Sequence, residues 1–241
     1  AHGNGQISTD PNNTYGAGSG TSAAAPGIAG VLAQLYHAYR EINNQDPSSA
    51  LVKACMLNTA EDYGNPGPDY SFGWGRVNAL RAVKTLEEKN YIDTNISQGE
   101  SQSFAFQIPQ GVKEARIMIY WLDYEGSASA SKALVNDLDL SISDGSNNFL
   151  PWILNPAATA ASISAPATNG VDHLNNMEQV TLYNPVSGTY IANVNGFSIP
   201  LGPQKYYLLY EFIKDEITIT YPIGGEGISP KTMEYINWDA I

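Results

Sequence analysis

The apolar pattern of this chain changes character once, near Asn90, and that change sets its architecture. Upstream, apolar residues fall at helical spacing: Ile28, Val31, Leu32, Leu35, Tyr36 and Tyr39 predict a helix over 22–43. Asp46-Pro47-Ser48-Ser49 is a turn and cap that starts a second helix, running to about residue 60. A third helix is predicted over 77–88, after a loop at 63–68 rich in glycine and proline. Downstream, helical spacing stops. Short β runs at 103–108, 115–122, 138–142, 179–183, 189–194 and 206–212 are separated by Gly, Pro, Asn and Ser, which predicts an antiparallel sandwich or jelly roll. Stretches 127–135 and 157–170 are long loops of small residues.

A chain of 241 residues has room for more than one compact domain. Its 43% hydrophobic and 15% charged content suits a folded globular protein rather than disorder. The net charge of −12 repels nucleic-acid phosphate and anionic membrane surfaces, and no run is apolar for long enough to span a bilayer. Neither nucleic acid nor membrane is therefore an expected partner. The single cysteine, Cys55, excludes an intrachain disulfide, and its helical context reads as a small buried hydrophobe rather than a reactive thiol.

Chemistry points to the start of the first helix. Tyr15-Gly16-Ala17-Gly18-Ser19-Gly20 reads as a tight turning loop, and Gly20-Thr21-Ser22-Ala23-Ala24-Ala25-Pro26 follows it. Thr21 or Ser22 is expected as the N-cap, with Pro26 tolerated in the first turns. A hydroxyl there faces backbone N–H groups able to hold an anion, which is where acyl transfer places a nucleophile. A capping role alone is the plainer reading of the same residues.

Gly20 to Pro26 resembles the serine motif of the subtilisin-like proteases, with Ala23 for the usual Met and Gly27 where many members have His. The likeness continues in order: Ala1 to Thr9, Val52-Lys53-Ala54 with Leu57-Asn58-Thr59-Ala60, and Phe72-Gly73-Trp74-Gly75-Arg76-Val77-Asn78-Ala79. The resemblance implies that Ser22 is the nucleophile and that its backbone N–H forms half an oxyanion hole. It also implies that Gly18, Ser19 and Gly20 line the substrate groove near the scissile bond. No cofactor is required for that chemistry. In this family the catalytic Asp and His and the oxyanion Asn precede the serine, and here 21 residues precede Ser22. His2 and Asp10 match none of the family's motifs, and His37 lies fifteen positions along the same predicted helix. The resemblance therefore implies the C-terminal part of a secreted serine endopeptidase's catalytic domain. Its expected partners are a polypeptide substrate and the N-terminal part of the same domain; the fragment alone is expected to be inactive and to leave apolar surface open.

The second region resembles the β-sandwich that follows the catalytic domain in certain secreted subtilases, similar in architecture to the P domain of proprotein convertases. The residues carrying this are 134–140, 172–180 and 187–190. Asp137 and Asp139 alternate on one strand face, and with Asp172 and Glu178 they offer oxygens suited to a structural calcium ion; solvated acids and Asx turns are the other reading. Asp144-Gly145 reads as a hairpin turn, and Trp121 and Trp152 as sheet core rather than a sugar platform. Residues 217–226 and 235–238 resemble the first strands of an immunoglobulin-like module, too short to bury a core of that kind. The expected fold is thus multidomain. Residues 1–91 form the end of an α/β subtilisin-like catalytic domain, 92–212 an antiparallel β-sandwich or jelly roll, and 213–241 a truncated Ig-like stub. Two rivals stay open: a non-enzymatic module whose sandwich recognises a glycan or protein beside a catalytically dead relic, and a different hydrolase that recruits His37 or His173.

Overall fold

A computed structural model describes residues 3–215, 217–230 and 233–240. It opens with a hairpin of β1 (Gln6–Asp10) and β2 (Thr14–Gly18), paired from Gln6↔Gly18 to Asp10↔Thr14. Helices α1 (Thr21–Asn43), α2 (Ser49–Asn58) and α3 (Ala79–Glu87) follow. The remainder is mostly antiparallel sheet: β3 (Tyr91–Ile96), β4 (Ser101–Ile108), β5 (Val112–Trp121), β6 (Asp137–Ser143), β7 (Asn148–Phe149), β8 (Trp152–Ile153), the short helix α4 (Ala160–Ser164), β9 (Thr168–Asn169), β10 (Met177–Tyr183), β11 (Gly188–Ser198), β12 (Gln204–Lys214), β13 (Ile217–Tyr221) and β14 (Asn237–Ala240).

Two four-stranded sheets, ordered β10-β5-β12-β3 and β4-β11-β6-β7, face each other. Their inner faces meet in one core built from Ile117, Ile119, Trp121, Val180 and Leu208 of the first sheet and Phe106, Leu138, Leu140, Ile142, Ala192 and Val194 of the second. The Trp121 indole N–H donates to the Asn136 carbonyl at 3.0 Å, so the one polar atom of that buried ring is satisfied. Asp123 closes the loop at 124–134 by accepting the amides of Val135 and Asn136 at 2.7 and 2.9 Å.

Strand β5 is buried almost continuously because both of its faces are covered. Alternate residues point to opposite faces, so Ile117, Ile119 and Trp121 enter the sandwich while Tyr120 turns outward under the helices. There Tyr120, Tyr207 and Leu209 join Leu35, Leu51, Val52, Ala54, Cys55, Ala82 and Leu86 in a second core. Cys55 is free and fully buried, as its helical context predicts, and burial pushes its thiol pKa far up.

Polar contacts fasten the same seam. Arg81 of α3 makes a two-pronged pair with Glu211 of β12 at 2.6 and 2.7 Å. Gln179 donates to the Asn58 side chain at 3.0 Å, and the Arg116 guanidinium reaches the carbonyl of Ala60. Gly67, at φ +77°, lets the loop at 61–76 lie on the Trp152 ring: a Cβ there would stand 2.7 Å from it.

Several local expectations need correction. The stretch 15–20 is not simply a turning loop, because its first four residues belong to strand β2; pairing with β1 overrides three glycines in six residues. The N-cap of α1 is Gly20, not Thr21 or Ser22, since the helix begins at Thr21 and Ser22 lies inside its first turn. Strand β3 is an edge strand whose polar Asp93-Thr94-Asn95 hides its pairing with β12. The loop at 157–170 contains α4, capped by Thr159, whose hydroxyl accepts the Ser162 amide. Among the described residues β13 and β14 pair with each other, leaving Ile217, Ile219 and Trp238 exposed.

Candidate functional site

Ser22 sits exposed in the first turn of α1. The turn exists because Gly20 adopts φ +145° and ψ 169°, a region open essentially to glycine alone. Its carbonyl accepts the amides of Ala23 and Ala24 at 3.0 and 3.3 Å. Helix geometry then leaves the amides of Thr21 and Ser22 without intrahelical acceptors, pointing out of the positive end of a 23-residue helix. A Cβ on Gly20 would meet the Ser22 nitrogen only in ordinary contact at 4.0 Å, so it is the backbone conformation, not space, that calls for glycine here.

The segment ahead of the helix is tied back in two ways. The Gly20 amide donates to Gly3 at 2.7 Å, and a Cβ on Gly3 would stand 2.7 Å from the Gly20 carbonyl. The Ser19 hydroxyl donates to Asn4 at 2.8 Å and accepts the Gly5 amide at 2.9 Å. Of the expected groove residues, Ser19 therefore has its hydroxyl engaged in holding the turn. Gly18 ends β2 with open space where a side chain would be, and Gly20 forms the cap.

A serine hydroxyl needs a base in hydrogen-bond reach. Among the described residues none is hydrogen-bonded to the Ser22 hydroxyl. His37 is exposed on the same helix, about 22 Å along its axis at 1.5 Å per residue. His173 lies in the sandwich against Asp137. His2, which matches no family motif, lies outside the described residues.

The acidic constellation is at the sandwich's end. The alternation of β6 brings Asp137 and Asp139 together, and the loop before β10 delivers His173 to them. The His173 Nδ1 is 3.1 Å from Asp137 Oδ2 and 3.6 Å from Asp139 Oδ1, and one ligand atom from each residue lies within 4.8 Å of the others. Phe197 stacks on the imidazole at 4.3 Å between centroids. The Lys132 ammonium approaches Asp137 Oδ2 at 3.1 Å. Glu178, buried behind, accepts the Leu140 amide at 2.6 Å with one oxygen. Burial above all raises its pKa well above the usual value; the Leu140 N–H opposes this, and Asp139, Asp172 and Asp137 add to it. Burial likewise raises Asp139, with His173 opposing and Asp137 reinforcing.

Asp172 behaves differently from the other two expected ligands. Its Oδ1 accepts the amides of Leu174 and Asn175 at 2.8 and 3.2 Å, and its Oδ2 accepts the Asn175 side chain at 2.7 Å. It builds the loop that carries His173. Sequence reasoning found the two strand aspartates from their spacing but missed His173 and Lys132 as members of the cluster.

Residues 2–75 match the model of the subtilase family. The chain is 27% identical over 209 residues to the "Serine protease/ABC transporter B family protein tagA" of Dictyostelium discoideum, a match covering 78% of this chain and 12% of that protein. It is 42% identical over 83 residues to an "Extracellular serine protease" of Serratia marcescens, covering 34% of this chain and 7% of that one. A second Dictyostelium relative, "Serine protease/ABC transporter B family protein tagD", is 21% identical over 222 residues, 70% of this chain and 12% of its own length. The chain thus spans about an eighth or less of the curated relatives it matches. Its opening third is subtilase-like, and the tagA match extends beyond that third into the sandwich.

Proposed function

We propose that this chain is the serine-bearing part of a subtilisin-type endopeptidase, with Ser22 as nucleophile. The observation that carries the reading is a subtilase-like segment whose serine stands exposed at a helix start beside uncommitted backbone amides. Ser22 attacks the carbonyl carbon of a peptide bond. The resulting oxyanion is held by the Ser22 amide, the amine product leaves, and water hydrolyses the acyl-enzyme. Gly18, Ser19 and Gly20 form the wall of the groove beside the scissile bond. His37 lies about 22 Å along α1 from Ser22, and His173 packs against Asp137 and Phe197, so neither is assigned as the base that takes the serine's proton. It is supplied, with its orienting acid and the second oxyanion donor, by a further polypeptide segment that completes the domain, so the 241 residues alone are inactive. Residues 92–212 act as a P-domain-like support for residues 1–91, and 213–241 begin an Ig-like module. An extracellular setting accords with the name of the Serratia relative.

The test is peptide hydrolysis by the longer protein that carries this chain, with Ser22→Ala as the variant. Loss of the nucleophile lowers kcat on the order of 10^6-fold, to the level set by binding and oxyanion stabilisation alone. Fluorophosphonate labelling read by intact mass gives the companion result: the longer protein is labelled at Ser22 and the 241-residue chain is not. Undiminished hydrolysis in Ser22→Ala refutes the assignment of the nucleophile. Labelling of the isolated chain that vanishes in Ser22→Ala refutes the claim that its base lies elsewhere.

A further inference from the structure

We infer that Asp137, Asp139 and His173 form a transition-metal site, with zinc the best-matched ion, that clamps strand β6 to the loop ahead of β10. The site is independent of Ser22, and it differs in donor chemistry from the all-oxygen calcium site that the acidic residues suggest by themselves.

Three buried atoms of the cluster lack hydrogen-bond partners although their residues are charged or polar. Asp137 Oδ1, Asp139 Oδ1 and His173 Nδ1 are each shut off from solvent without one. Asp137 is 1% exposed, so its orphaned oxygen has no water to turn to. The His173 Nδ1 lies close to Asp137 Oδ2 but not in hydrogen-bonding geometry, so its lone pair or proton is not spent there. Leaving such an atom unsatisfied is destabilising, the more so where it carries charge. A divalent cation between the three satisfies all of them at once. Lys132 is a partial substitute: its ammonium meets a single oxygen of Asp137, and its side chain is 39% exposed and free to swing away.

The choice of ion follows from the donors. Calcium takes six to eight oxygens. Here one of the three donors is an imidazole nitrogen, and Asp172 spends its carboxylate on three hydrogen bonds within its own loop. Two carboxylates and one imidazole suit a borderline ion such as zinc, with a fourth position left for water. Metal–ligand bonds of about 2.0–2.2 Å place donor atoms roughly 3.4 Å apart, so the widest pair of a shell spanning 4.8 Å closes by about 1.4 Å on loading, within reach of side-chain rotation. Phe197 already fixes the imidazole plane. Glu178, whose Oε1 is likewise buried and unpartnered at 1% exposure, lies outside this ligand set.

The experiment is titration of the metal-stripped chain with zinc chloride and, separately, calcium chloride, read by calorimetry and by native mass. Zinc is expected to bind at one site at least about tenfold more tightly than calcium. His173→Gln and Asp139→Asn each weaken it about tenfold or more, while the control His37→Gln leaves it unchanged. Zinc raises the melting temperature of the parent chain more than that of His173→Gln at the same concentration. Both variant side chains are partly exposed, so the variants should fold, and matching melting temperatures without metal verify it. Absence of zinc binding overturns the inference. So does zinc binding undiminished in His173→Gln, and so does calcium bound as tightly as zinc.

Discussion

Glu211→Ala should destabilise the protein far more than a surface ion pair can. The Arg81 and Glu211 side chains are 7% and 15% exposed, and two charge-assisted hydrogen bonds join them. Removing Glu211 leaves a guanidinium buried between α3 and β12 with its donors unmet, a change worth about 3–5 kcal/mol. An exposed pair gives about 0–1 kcal/mol. The paired replacement Arg81→Met with Glu211→Leu removes both charges and keeps apolar volume, so it should lie close to the parent or above it. Urea unfolding supplies the assay. With a slope of about 2–3 kcal/mol per molar, the single substitution moves the midpoint down by roughly 1–2.5 M. Burial also makes the loss nearly independent of salt. Far-UV circular dichroism and tryptophan fluorescence should report one transition, because Tyr120, Tyr207 and Leu209 of the sandwich share a core with the helices. A midpoint shift equivalent to less than about 1 kcal/mol refutes the buried-pair reasoning. A double variant as damaged as the single one does the same.

Two further outcomes follow from backbone geometry. Gly20→Ala forces a side chain into a region that is essentially glycine-only, so it should cost about 1–3 kcal/mol by denaturant unfolding and, in the longer protein, lower kcat as the Ser22 turn shifts; an unchanged midpoint and kcat would sink this. Asp69 has its carboxyl held below the usual range, chiefly by the Phe72 amide, with burial opposing and Asn65 and Ser71 assisting. Because its folded pKa is depressed, its stabilisation is full above the unfolded value of about 3.9 and disappears as pH falls through the folded one. The stability gap between parent and Asp69→Asn should therefore be widest near neutral pH and close below about pH 4, and a gap constant from pH 7 to 2 would refute the role.

The helical third was legible because its signals are local. Ser48 and Asn78 cap α2 and α3 through their own side chains, and residues of the apolar stripe read from α1, Leu35 among them, enter the second core. The hairpin at the start was not, since β2 is nearly half glycine and is a strand by virtue of its partner. The continuous burial of β5 was visible as a run of Ile, Tyr and Trp, yet nothing in that run says that helices supply the second cover. At the acidic cluster, period-two spacing placed Asp137 and Asp139 side by side, a relation within one strand. His173 reaches them from 34 positions further on through a loop that Asp172 shapes with its own carboxylate, and no pattern in the chain measures that closure.

The two cores divide the labour around Ser22. Helix α1 is held through its middle and second half, where Leu35 is fully buried and Val31, Leu32, Tyr36 and Tyr39 pack beside it. Its first turn carries the serine into solvent, and among the described residues the 3–5 segment is tied to the turn ahead of it. Ser22 is therefore carried on a helix whose far end packs on α3 and α2, which in turn rest on the outer face of β5 and β12. Rigidity of that face reaches Ser22 through the helix axis, whereas the Asp137–Asp139–His173 cluster lies on β6 of the other sheet and the loop before β10. Loosening the seam, as in Glu211→Ala, should then lower the activity of the longer protein together with its stability. Removing zinc from the site proposed at Asp137, Asp139 and His173 should lower the melting temperature while leaving kcat of the longer protein unchanged at temperatures where the sandwich stays folded, because that perturbation does not pass through the seat of the helix.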